Sequence, residues 1–194
     1  ERITEELLPR AFNRQRRTYV WIDPVNHWLA IDAAAQGKAD EVIEQLRRTL
    51  EVFPLKALVT ELSPVSAMTG WLAGPEAPAG FSLDQDLELR APDEGKATVR
   101  YVRHALEGKE IQDHIANGKQ ATRLGMTWND RISFVLTEPF QVKRLAFLDI
   151  LKEESDGQAE SEEERFALDY TLMTGELARL LPDLVAALGG ERVA

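Results

Sequence analysis

Three short segments near the middle of the chain constrain its fold most. Residues 121–128, 132–137 and 142–147 alternate apolar with polar side chains or carry β-branched and aromatic ones. The connections 129–131 and 138–141 are too short for a crossover helix, so neighbouring segments must pair antiparallel, as a meander. A half-apolar sheet needs a second layer to cover it. Two helical patterns supply candidates. Val42, Ile43, Leu46, Leu50 and Phe53 recur at helical spacing over 38–53. Phe166, Leu168, Leu172, Leu177, Leu180, Leu181, Leu184 and Leu188 do so over about 163–188. The fold class expected is α+β: antiparallel hairpins and a three-strand meander packed with several helices, the last one long.

Turn chemistry places the remaining elements. Residues 1–13 read as the end of a helix whose regularity Pro9 limits. Strands over 18–22 and 27–32 flank Asp23-Pro24-Val25-Asn26 and form a hairpin. Pro54 stops the 38–53 helix, and 55–60 reads as a strand. Ser63 followed by Pro64 is an N-cap with proline in the first helical position, opening a helix to about residue 73. Gly74-Pro75-Glu76-Ala77-Pro78-Ala79-Gly80 is the clearest linker. It suggests a hairpin-plus-helices subdomain over 1–76 and a second over 77–194 holding the meander and the last helix. After it, Phe81, Leu83, Leu87 and Leu89 mark one strand and 97–102 another. A short helix over 109–117 closes on Gly118 as a left-handed cap. Gly189-Gly190 ends the final helix.

The net charge of −10 argues against a strongly polyanion-loving chain. Its distribution argues otherwise. Between Glu153 and Glu164 lie seven acids and no base, and without them the remainder carries only −3. Arg10, Arg14, Arg16 and Arg17 stand in a stretch, 7–22, free of acids. Lys96, Arg100 and Arg103 form a second basic cluster, and 119–144 holds five bases against two acids. Such segregation fits solvated faces or an anion-binding surface. No apolar run reaches the length of a membrane span. With no cysteine, disulfides and thiolate metal sites are excluded. The chain opens on Glu1 rather than methionine, which suggests a piece of something longer.

Catalytic signatures are absent from the pattern. His27, His104 and His114 are scattered, with no metal-ligand spacing. No nucleophile elbow or phosphate-binding loop occurs, and Gly189-Gly190 follows a helix instead of opening one. Asp23 and Asp32 flank the first hairpin, but a turn-capping role suits Asp23 better. Trp128, beside the turn Asn129-Asp130, is the tryptophan best placed to stack on a base, against a core role for the others. No enzyme, cofactor or metal site is expected.

Several blocks, in order, carry a family likeness. They include Leu7-Leu8-Pro9-Arg10-Ala11-Phe12, Trp21-Ile22-Asp23, Gly80-Phe81 and Glu110-Ile111 with His114-Ile115. Gly118-Lys119, Trp128 with Arg131-Ile132, Lys143-Arg144-Leu145 and Leu172-Met173-Thr174-Gly175-Glu176-Leu177 follow. The chain resembles the RdgC family along nearly its whole length, matching about the C-terminal two thirds of the family's. The family's lysine-rich N-terminal portion has no counterpart here.

The resemblance implies a non-catalytic, cytoplasmic, nucleoid-associated protein. It would bind double-stranded DNA with little sequence preference as a ring-like homodimer and modulate RecA-dependent recombination. The phosphate contacts expected on that basis are Arg103, Lys119, Arg123, Lys143 and Arg144, with Arg10 and Arg14 next. A regular strand would not let both Arg100 and Arg103 face the same way. Phe12 is expected either at a subunit contact or under its own hairpin. The alternative is an acidic protein–protein interaction module that contacts the recombination machinery, RecA included, without binding DNA. No membrane partner is implied.

Overall fold

The computed structural model describes residues 16–148 and 161–192. The chain divides into two compact units, 1–55 and 56–194.

In the first unit, strands β1 (Val20–Asp23) and β2 (Trp28–Ile31) pair antiparallel, with Asp23 opposite Trp28. Asp23 accepts hydrogen bonds from the Val25 and Asn26 amides and from the Asn26 side chain. These bonds hold its carboxyl below the usual range and fix the turn. Asp32 lies beyond the opposite end of the hairpin, so the two aspartates make no acid pair. Helix α1 (Gln36–Thr49) follows, its last turn carrying Arg47 and Arg48, favourable beside the negative end of the helix dipole. It stops before the end of the 38–53 pattern, because Leu50 is already extended.

The second unit begins without the strand expected over 55–60. Thr60 alone forms an antiparallel bridge, to Glu191. Helix α2 (Pro64–Ala73) starts as its sequence dictates: Ser63 Oγ accepts from the Ser66 amide at 3.1 Å, and Pro64 occupies the first turn. Strands β3 (Phe81–Arg90) and β4 (Thr98–Tyr101), helix α3 (Lys109–Ala116), strands β5 (Gln120–Trp128), β6 (Ile132–Thr137) and β7 (Val142–Phe147), and helix α4 (Glu162–Ala187) complete it. Gly118 takes φ +86° and closes α3. The five strands are antiparallel in the order β4-β3-β5-β6-β7, so the meander is the larger part of one sheet. The division placed after residue 76 from the linker falls inside this unit. Ala67, Met68 and Leu72 of α2 are buried in the same core as the sheet.

That core lies on one face only. Leu87, Leu89, Ala121, Leu124, Met126 and Trp128 meet α2, α3 and the C-terminal half of α4 there. Each fully buried Leu or Met among them contributes about 1.5–3 kcal/mol. Two polar ties fix α4: Trp128 Nε1 donates to Asp183 at 2.9 Å, and Arg131 grips the buried Glu176 carboxylate. At its other end, Ser161 caps α4, and Glu162, Glu163 and Glu164 sit where the helix dipole welcomes negative charge. The early turns leave Phe166, Tyr170 and Met173 exposed.

Candidate functional site

Among the described residues of the second unit, the helices pack on the core side, and the sheet's other face gathers the charges. Directly opposed residues on neighbouring strands share a face, so the register reads it out. One row runs Arg100–Glu88–Arg123–Thr137 across β4, β3, β5 and β6. The next runs Gly125–Val135–Lys143 across β5, β6 and β7. Arg90, opposite Thr98 and Gln120, begins a third and pairs with Glu138. Residues Asp86, Glu88, Arg100, Arg123, Val135 and Arg144 line a shallow depression here.

Three irregularities shape this surface. Asp84, Gln85 and Asp86 of β3 stand against Gly125 alone. A Cβ on Gly125 would meet Asp84 Cβ at 3.1 Å and Asp86 Cβ at 3.3 Å, so any larger residue would push the bulge outward by a few tenths of an ångström. Thr122 is an extra residue in β5, and its hydroxyl donates to Glu88 at 2.9 Å. In β7, Arg144 and Leu145 together oppose Phe134, and Arg144 takes φ +51°.

The carboxylates are spaced among the cations. Glu88 is nearly buried, and Arg100 Nε donates to it at 2.6 Å. Burial alone would raise its pKa. The hydrogen bonds from Arg100 and Thr122 and the charges of Arg100 and Arg123 outweigh burial and hold it below the ordinary value. Asp84 is pushed up by burial despite accepting from the Thr127 hydroxyl. Asp86 accepts from Arg144 Nη1 at 3.1 Å and from the Arg103 amide at 3.2 Å.

Of the expected phosphate contacts, the structure brings Arg123, Lys143 and Arg144 onto this face. Arg103 lies just past β4 with φ +52°, tied to the face through its amide. Strand β4 ends at Tyr101, one residue short of the segment expected over 97–102, so the alternation argument that set Arg100 against Arg103 does not apply. Arg100 lines the depression, and its position in step with Thr98 was the sequence signal for it. Lys119 precedes β5 in step with the buried Ala121, not with Arg123, and stands apart. Arg10, Arg14 and Phe12 lie outside the described residues. Trp128 corrects an expectation: it is 3% exposed and hydrogen-bonded to α4, a core residue despite its place beside a turn. Among the described residues, no group of three or more His, Asp or Glu side chains is placed to hold a metal.

Comparison with known proteins decides the family. A family model described as "Putative exonuclease, RdgC" matches residues 1–191. The chain belongs to the RdgC family. It is 59% identical to the recombination-associated protein RdgC of Dechloromonas aromatica, over all of this chain and 64% of that protein. The RdgC of Bordetella parapertussis is 58% identical over 99% of this chain and 64% of its own length. That of Cupriavidus pinatubonensis is 58% identical over 100% and 65%. The chain therefore spans about two thirds of the RdgC relatives it matches. The relatives' names describe association with recombination, whereas the family description speaks of an exonuclease. No helix among the described residues is long and apolar enough to cross a membrane.

Proposed function

We propose that this chain is the larger part of a protein that binds double-stranded DNA through the charged face of its five-stranded sheet, without sequence preference and without catalysis. The observation that carries this reading is the gathering of Arg90, Arg100, Arg123, Lys143 and Arg144 on one sheet face, interspersed with Asp84, Asp86, Glu88 and Glu138, in a chain whose net charge is −10. Lysine and arginine projecting from strands suit phosphate contacts, which position a duplex and read no bases. By family resemblance, the working form is a cytoplasmic, nucleoid-associated, ring-like homodimer that modulates RecA-dependent recombination, with Phe12 as a subunit anchor.

The test is titration against a labelled random-sequence duplex across a salt series, with oligomeric state measured by sedimentation. Affinity should fall steeply with salt. Replacing Lys143 and Arg144 by alanine should weaken binding equally for unrelated sequences and lower the salt slope by up to about 0.9 per lost contact. An unchanged slope would refute the assignment of this face, and degradation of the duplex in the presence of Mg²⁺ would refute the non-catalytic reading.

The second reading, a protein–protein module, has its own observation. Phe166 and Tyr170 stack on the early turns of α4 with ring centroids 6.2 Å apart, and both are exposed together with Met173. Capture of RecA in the absence of DNA, lost on Tyr170→Ala, would favour it.

A further inference from the structure

We propose that Asp86 sets the strength of the DNA-binding face: its carboxylate holds the Arg144 guanidinium in the free chain and yields it to a DNA phosphate on binding. This rests on the nucleic-acid reading of the face and adds an internal competitor to it.

The geometry begins with the β3 bulge. Close packing of Asp84 and Asp86 over Gly125 fixes Asp86 at the centre of the face. From there its two oxygens serve two different residues. One accepts from the Arg103 amide, the other from Arg144 Nη1. Both arginines adopt left-handed backbone conformations, φ +52° and +51°, which long L side chains rarely take without support. One carboxylate thus stabilises the irregular backbone after β4 and engages the bulged residue of β7.

Exposure separates Asp86 from its neighbour Glu88. The Glu88 side chain is 10% exposed and takes hydrogen bonds from both Arg100 and Thr122, so the carboxylate itself is held in place. Asp86 is 33% exposed and Arg144 70%. A solvated ion pair of this kind is weak. A phosphate offers the same planar donor fork better acceptors in a stronger field. While Asp86 stays ionised beside the bound phosphate, it cancels part of the charge Arg144 brings. The face then releases fewer counterions than its arginines suggest, and binding is held to moderate strength.

Asp86→Asn removes the charge yet keeps a carbonyl oxygen for the Arg103 amide. This chain should bind a random-sequence duplex about threefold more tightly, the scale of one exposed ion pair. Its salt slope should be steeper, by up to about 0.9. Asp86→Glu, which keeps the charge, should bind like the unsubstituted chain. In an Arg144→Ala background, Asp86→Asn should add nothing. If the unsubstituted chain binds and Arg144→Ala weakens it while Asp86→Asn leaves affinity unchanged or lower, the inference is overturned and the DNA-binding reading stands. Equal tightening with and without Arg144 also overturns it, since that is a general charge effect. If none of these chains binds duplex, the nucleic-acid reading fails and takes the inference with it. Asp86→Ser is judged by the same comparisons if the asparagine variant does not melt cooperatively.

Discussion

Arg131 lies in the basic part of the sequence yet serves the fold, and its replacement by methionine separates the two roles. Its Nε and Nη2 reach the two oxygens of Glu176 at 2.9 and 3.1 Å. The Glu176 side chain is only 7% exposed. Stripping one partner from a buried ion pair costs about 3–5 kcal/mol, because the remaining charge is left desolvated. Two features reduce that figure: Arg131 is itself 28% exposed, and Arg179 still reaches Glu176 at 3.3 Å from a largely exposed position. A loss of about 2 kcal/mol follows. For a unit of this length that is about 8 °C in melting temperature. Far-ultraviolet circular dichroism during heating reads the change. The double variant Arg131→Met/Glu176→Leu should regain most of it, since an apolar pair in that site leaves no orphaned charge. The salt slope of duplex binding should not move, because Arg131 is committed to α4 and not to the charged face. A melting shift below about 2 °C, or a flattened salt slope, would refute this division of labour.

Other perturbations test the charged face. Glu88 titrates below its ordinary value in the folded chain, so its stabilising effect is complete above the unfolded value of about 4.3 and is lost as pH falls through the folded one. The stability gap between the unsubstituted chain and Glu88→Gln, followed by denaturant unfolding, should therefore narrow below about pH 4. A constant gap would contradict it. Gly125→Ala should destabilise by about 1–3 kcal/mol as the bulge is forced apart, and it should weaken duplex binding along with stability. A neutral alanine there would show that the bulge tolerates movement.

The elements that could be read from sequence are those whose signals are local. Ser63-Pro64 announces the start of α2, Gly118 the end of α3, and Asp23 the hairpin turn, each through bonds made within four residues. The meander was legible because alternation and short connections leave one pairing. What escaped depended on distant partners. Nothing local tells 55–60 that β-pairing will be confined to Thr60, or tells Trp128 that Asp183 will bind its indole. The candidate site was half legible for the same reason. Alternation grouped Arg123 with the meander's charges, but the bulges at 84–86, 122 and 144 break the period of two and depend on cross-strand packing. Those bulges bring Asp86 to Arg103 and Arg144.

The bridge between Thr60 and Glu191 also bears on how the chain acquires its shape. Around it, the Glu61 amide donates to Gly190, the Leu62 amide to Leu188 and the Arg192 amide to Val59, while Lys56 pairs with Glu191. These contacts join positions about 130 residues apart along the chain and enclose nearly the whole second unit. Closing so long a loop carries its entropic cost before any reward arrives. The seam should zip up late, after the meander and its helices have condensed. On the ribosome it must wait until residue 192 has emerged, so the nascent unit has to persist with its ends unfastened until then.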